Sequence, residues 1–278
     1  MVPGGRDIGA YLVSHPNVDK VAFTGSTGGG RAVAAACAEQ LRPVTLELGG
    51  RSAAIILDDA DLNLATVGQS LFAATLANNG QVCFQGTRIS APRSRYDEVV
   101  DTFATLIDNA PVGDSLDEAT LIGPMASETQ RERVSHYIDI GTREGARVVV
   151  GGAGRPAGTD RGWFVKPTLF ADLDNSATVS REEIFGPVLS VIAYDGDDHA
   201  VRIANDSDYG LGGSIWSSDP ERALNVAREI ETGSVGINGY LPDPTSPFGG
   251  VKSSGLGREF GPEGLASFQQ LKCIYRFA

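Results

Sequence analysis

The chain has 278 residues, 41% hydrophobic and 21% charged, and its 23 basic and 35 acidic side chains leave a net charge of −12. That length buries a full core in one large or two joined domains. The acidic balance repels nucleic-acid backbones and anionic membranes, so neither is an expected partner. No stretch nears the ~18 apolar residues of a membrane span, and the opening MVPGGRDIGAYLVSHP lacks the basic start and apolar run of a secretory signal. The three cysteines, Cys37, Cys83 and Cys273, are scattered without CxxC spacing. That pattern speaks against a disulfide scaffold or a zinc site and for a reducing cytoplasm. His15, His136 and His199 stand alone, so no metal is expected.

In chain order, VDKVAFTG reads as a buried strand and GGRAVAAACAEQL as a helix of strong helix formers. PVTLEL and AAIIL follow as short strands, and DDADLN offers several caps for the alanine-rich helix over residues 62–77. After a turn, TRIS is strand-like, and RYDEVVDTFATLIDN and SETQRERVSHYIDIGTREG are amphipathic helices. The second carries a capping-box spacing, Ser127 with Gln130. ARVVVGG, GWFVKPTLF, PVLSVIAY, GGSIWSS and GSVGIN complete the strands, with DDHAVRIANDS and PERALNVAREIE as helices between them. Alternation of this kind predicts an α/β protein with a mostly parallel open sheet flanked by helices. Residues 238–262 show no helix or strand pattern, and a loop of that length inside a compact domain is usually functional.

Several short stretches bear on chemistry. FTGSTGGG (23–30) joins a strand to a helix and offers free N–H groups and a positive dipole end, suited to a phosphate or serving only as a turn. In LELGG (46–50), Glu47 alternates with Leu46 and Leu48. It either projects into a cavity, where burial would make it a usable base, or lies solvated at a sheet edge. NNGQVCFQG (78–86) sets Cys83 in a turn between two glycines, as a small core residue or as a nucleophile surrounded by backbone N–H groups. EEIFGPV (182–188) pairs two acids with an aromatic and a Gly-Pro turn. PFGGVKSSGLGRE (247–259) is either a closing loop or a rigid crossing.

The order and spacing of these five stretches resemble the aldehyde dehydrogenase superfamily, over essentially the whole chain from GAYLVSHPNVDKVAFTGST to SFQQLKCIYR. The resemblance implies a non-acylating NAD- or NADP-dependent enzyme that oxidises a small aldehyde. Residue by residue it implies Cys83 as the catalytic cysteine and Glu47 as the general base. It also implies Ser26 near the cofactor pyrophosphate, Glu183 at the nicotinamide ribose, Phe185 beside that ring, and Gly25 and Gly49 lining the cofactor and base positions. It divides the chain into a remnant of the dinucleotide-binding domain (1–50), a catalytic domain (51–253) and a return segment with an oligomerisation strand (254–278). LASFQQLKCIYRFA then suggests a homo-oligomer, a dimer or tetramer.

The chain departs from the family in places. Three glycines follow GST, Val82 and Phe84 crowd Cys83, and Arg51 stands where lysine is usual. Family members extend well upstream of Met1. The family's oxyanion-hole asparagine, its ribose lysine and the position that separates NAD from NADP have no counterpart here. The expectation is a weak or inactive chain on its own. Two other readings stay open: a cysteine hydrolase using Cys83, for which no histidine stands in a recognisable motif, and a non-catalytic subunit.

Overall fold

Apolar strands and amphipathic helices assemble into layers around a seven-stranded sheet. The computed structural model describes residues 1–278. The first third holds α1 (Arg6–Ser14), β1 (Val21–Thr24), α2 (Thr27–Ala38), β2 (Val44–Glu47), β3 (Ala53–Ile56), α3 (Leu64–Thr75) and β4 (Arg88–Pro92). Then come α4 (Tyr96–Asp108), α5 (Glu128–Arg143), β5 (Arg147–Val150), β6 (Thr168–Leu173), α6 (Thr178–Arg181) and β7 (Val188–Tyr194). The chain closes with α7 (Asp197–Asn205), β8 (Tyr209–Gly210), β9 (Gly213–Trp216), α8 (Pro220–Arg228), β10 (Gly236–Ile237), β11 (Val251–Lys252), β12 (Gly255–Leu256) and α9 (Gly261–Ala266).

The large sheet has the order β10-β9-β3-β4-β7-β6-β5. Every neighbouring pair is parallel except β5 with β6. A three-stranded sheet, β1-β2-β12, stands beside it, and β8 pairs with β11 alone. The small sheet draws β1 and β2 from residues 1–50 and β12 from the final segment, which lies antiparallel to β2.

Both faces of the large sheet are covered, as a parallel sheet requires. Along β3 the side chains alternate between two cores. Ala54 and Ile56 pack with α3 and α4 around Leu71 and Phe103, whereas Ala53 and Ile55 pack with α7 and α8 around Ile203 and Val226. A third core joins α5 to β6 and β7 through Val134, Ile138, Phe170 and Val188. Local signals set the helix starts. Asn63 accepts from Ala65 N at 3.0 Å and Ser127 from Gln130 N at 3.2 Å, while Asp219 caps α8 ahead of Pro220.

Sequence and structure part in several places, the short α6 and β8 among the elements not predicted. α1 falls in a stretch where no element is predicted. β6 begins only at Thr168, because Pro167 cannot donate to a ladder. The stretch 238–262, predicted without elements, supplies β11 and β12.

Phe103 is fully buried at the centre of the α3/α4 core. Phe103→Ala is expected to lower the unfolding free energy by about 3–5 kcal/mol in urea titrations.

Candidate active site

β2, the central strand of the small sheet, ends on Glu47, and Leu48-Gly49-Gly50-Arg51 then carries the chain into β3. Thr45 to Arg51 are all buried, so Glu47 is not a solvated edge residue. It is 2% exposed, and neither carboxylate oxygen has a hydrogen-bond partner. Burial, followed by the nearby Glu259, pushes its pKa up to about 8 against a downward pull from Arg258.

Cys83 comes from a contorted turn after α3. Asn78 and Asn79 both adopt left-handed backbone, with φ of 52° and 60°. The Asn79 side chain locks the turn by accepting from Gly123 N at 2.6 Å and donating to Pro124 O at 3.0 Å. Gly80 follows at φ 69°, so near the 182–187 turn that a Cβ there would lie 2.2 Å from Gly186 O. The chain then presents Cys83 half-buried. Burial, then Glu183, raises its thiol pKa to about 11, and Glu47 adds to the rise. Hydrogen bonds from the Cys83 and Phe84 backbone act the other way.

Between α6 and β7, the two acids of EEIFGPV diverge. Glu182 accepts from Tyr137 Oη at 2.6 Å, and Glu183 Oε1 accepts from Gly50 N at 3.0 Å. Burial raises the Glu183 pKa, opposed first by the Gly50 N–H and then by Arg133 and Arg51. Phe185 sits at φ 59° with its ring 37% exposed. From α5, Gln130 Nε2 donates to Ile184 O at 3.1 Å and Phe185 O at 2.6 Å, and Arg133 donates to Glu183 O at 2.5 Å. On the far side, Ser26 caps α2 by accepting from Gly29 N at 3.2 Å. Helix geometry leaves the Thr27 and Gly28 N–H groups without intrahelical acceptors.

One cavity of about 520 Å³ gathers all of these. Cys83, Glu47, Ser26, Gly25, Gly49, Glu183 and Phe185 all line it, joined by Gln130 and Arg133. A Cβ on Gly49 would lie 2.4 Å from Glu183 Oε2. A larger cleft, about 860 Å³, opens around Tyr96, Asp172 and Ile192 and holds none of the seven. Three of its four acids are already engaged: Asp172 with Arg147, Asp174 with Ser176 and Glu144 with Thr178.

The family model for the aldehyde dehydrogenase family matches residues 1–274. The chain belongs to the aldehyde dehydrogenase family. It is 61% identical over 274 residues to a geranial dehydrogenase of Castellaniella defragrans, covering 99% of this chain and 56% of that protein. It is 45% identical over 270 residues to a 3-succinoylsemialdehyde-pyridine dehydrogenase of Pseudomonas sp, covering 97% of this chain and 56% of that protein. The solved aldehyde dehydrogenase of Mycobacterium tuberculosis, in complex with NAD⁺, superposes with a TM-score of 0.94 at 51% identity. That match covers 99% of this chain and 58% of the other. This aldehyde dehydrogenase family chain thus spans a little over half the length of the relatives it matches.

Sequence reading missed Gln130, Arg133 and Ser254. Gln130 carried a signal of another kind. Its backbone N–H serves the Ser127 cap as expected, while its amide reaches across to the Phe185 turn. Ser254, which donates to Gly49 O at 2.7 Å, carried no signal beyond lying in the unassigned loop.

Two outcomes follow from the charges. With Cys37→Ala and Cys273→Ser removing the other thiols, alkylation of Cys83 by iodoacetamide is expected to be slow at neutrality. Its rate should climb about tenfold per pH unit towards about pH 11, since the thiolate is the nucleophile. Glu47 binds its proton more tightly folded than unfolded. Stability from that proton is full below about pH 4.5 and is lost as pH rises through about 8. The thermal-stability advantage of Glu47→Gln over the parent should therefore grow between those values and level off above them.

Proposed function

We propose that this chain carries the thiol and base of an NAD-dependent oxidation of an aldehyde to a carboxylic acid. The carrying observation is a single cavity in which a half-buried thiol, Cys83, shares space with a buried carboxylate, Glu47, that has no partner within the protein. A buried unpartnered acid is costly for a fold and well suited to holding a water.

The cavity fits a dinucleotide. The N-terminus of α2, capped by Ser26, suits the diphosphate, and Glu183, held by Gly50 N–H, suits a ribose hydroxyl. Gly25 and Gly49 keep the walls between them free of side chains. The NAD⁺ bound in the solved Mycobacterium tuberculosis relative supports that choice of cofactor. When bound, the nicotinamide would supply the hydride acceptor and a positive ring near the thiol.

The remaining steps fall to the chain. Cys83 Sγ bonds to the aldehyde carbon, and the Cys83 and Phe84 backbone N–H groups, which face the sulfur in the resting chain, are the nearest candidates to take up the oxygen's developing charge. Once the carbon is at the thioester level, Glu47 takes a proton from water. The water oxygen adds to the carbonyl, the C–S bond breaks, and the thiol recovers its proton as the acid leaves. This carboxylate is what an acylating, coenzyme-A-dependent route would not need.

The substrate class we infer is an apolar aldehyde. Phe84 stacks edge-on to Tyr240 at 5.3 Å and Phe248 at 6.1 Å. Tyr240 and Phe248 line a hollow of about 210 Å³ with Leu241 and Pro247, within the loop for which the sequence predicts no helix or strand. The 61% identity to a geranial dehydrogenase supports the same class. Exposed Leu271, Ile274, Tyr275 and Phe277 near the C-terminus support self-association. Composition supports a cytoplasmic setting, and no helix is long and apolar enough to cross a membrane.

Because the chain spans 56% of the length of its geranial dehydrogenase relative, weak turnover is expected from these 278 residues alone. The test follows reduced-nicotinamide absorbance with geranial, octanal and betaine aldehyde, with NAD or NADP, beside slow hydrolysis of a p-nitrophenyl ester. Geranial and NAD should give the highest rate. Cys83→Ala should abolish both activities, and Glu47→Gln should lower ester turnover by about 10²-fold or more. Ester hydrolysis undiminished in Cys83→Ala would sink the assignment.

A further inference from the structure

Arg51 is a buried cation that the thiol chemistry does not use, at a position where lysine is usual in the family. It is 2% exposed, and every partner it holds is neutral. Nη1 donates to Thr87 Oγ1 at 2.7 Å and to Val188 O at 3.4 Å. Nη2 donates to Ser190 Oγ at 3.0 Å and to Val179 O. Ser190 Oγ in turn donates to Val179 O at 3.2 Å, closing the network.

The placement of those partners is what matters. Val179, in α6, and Val188, at the start of β7, stand at the two stems of the turn that carries Glu183 and Phe185. One guanidinium holds both stems. The residue before it, Gly50, gives its N–H to the Glu183 carboxylate. Stems and tip of the turn are therefore referenced to two consecutive residues at the entry to β3. A planar fork with five donors holds carbonyls on two sides in one fixed geometry, whereas a point-like ammonium with three rotatable donors imposes none. Hydrogen bonds from a charged donor are also the stronger kind.

We propose that Arg51 is a positioning residue that clamps both stems of the 180–187 turn and thereby fixes Glu183 and Phe185 at the nicotinamide end of the cavity. The clamp stands on the contacts alone, and its purpose rests on the cofactor reading above. Phe185 needs such support. Its left-handed backbone is disfavoured for an aromatic residue and persists only where the surroundings hold it. Gln130 and Arg133 grip the turn from its α5 side, and Arg51 grips it from beneath.

The experiment reads clamp and cofactor separately in Arg51→Lys and Arg51→Met. Hydrogen exchange on the free chain comes first. Amides 182–187 and the Gly50 N–H should exchange about tenfold faster in Arg51→Met and by a smaller factor in Arg51→Lys, while α4 keeps its protection. NAD and AMP are then titrated calorimetrically. Arg51→Met should weaken NAD about tenfold and leave AMP, which lacks the nicotinamide half, within about twofold of the parent. Arg51→Lys should recover part of the loss. If Arg51→Met does not fold, Arg51→Lys carries both measurements.

Unchanged exchange at 182–187 in a folded variant overturns the clamp, and so does equal weakening of NAD and AMP, which marks general loosening. A parent chain that binds neither nucleotide, with exchange still accelerated in the variants, supports the clamp and overturns its cofactor purpose.

Discussion

The backbone of residues 47–51 crosses from the small sheet to the large one with no room for a side chain at its centre. A Cβ on Gly50 would lie 2.3 Å from Cys83 O, and one on Gly49 would lie 2.4 Å from Glu183 Oε2. Glycine removes that obstacle, and the approach lets the backbone bond in three directions. Gly49 O accepts from Ser254, Gly50 N donates to Glu183, and Arg51 reaches beneath to α6 and β7. Glu47, Cys83 and Glu183 thus meet at one crossing, although their elements are far apart in sequence. The loss of backbone entropy at two glycines is offset by what the crossing holds together.

The same region concentrates buried charge and handles the two signs differently. Arg51 and Arg88 keep their protons, with pKa values lowered by burial only to about 9 and 10, because carbonyl, hydroxyl and amide oxygens surround their guanidinium groups. Glu47 has no such shell, so much of it is protonated at neutrality. The cations stay charged where they bind the fold together, and the acid stays proton-ready where it faces the cavity. The terminal guanidinium nitrogens of both arginines find oxygens, whereas neither oxygen of the Glu47 carboxylate finds a donor.

Much of this was legible in the sequence because the elements obey local rules. Strand-helix alternation and the Ser127 cap each carry their own signal, and the parallel sheet follows from the alternation. The seven residues that the family resemblance singled out all meet in one cavity. What could not be read depends on distant packing. Strand alternation sends Leu46 and Glu47 to opposite faces, yet both are buried, because β12 arrives from more than 200 residues away to close the sheet edge. α1 went unpredicted although Ile8, Tyr11 and Leu12 recur at the i, i+3, i+4 spacing of a helix, and none of its residues is buried. Arg51 read as an ordinary substitution for lysine. Its four partners lie in segments that only the fold brings together.

The proton affinities at the site carry a further consequence. The Cys83 thiol, near 11, sits about three units above the Glu47 carboxyl, near 8, so the acid cannot strip the thiol in the resting chain. Each anion opposes the other, since Glu47 and Glu183 both raise the thiol pKa. Arg133 lines the same cavity but is directed to Glu183 O. A resting thiol of this kind resists alkylation and oxidation, because both require thiolate. Activation therefore has to arrive with something that brings positive charge or excludes the competing anions. Such an arrangement would couple the thiol's reactivity to the occupancy of the cavity.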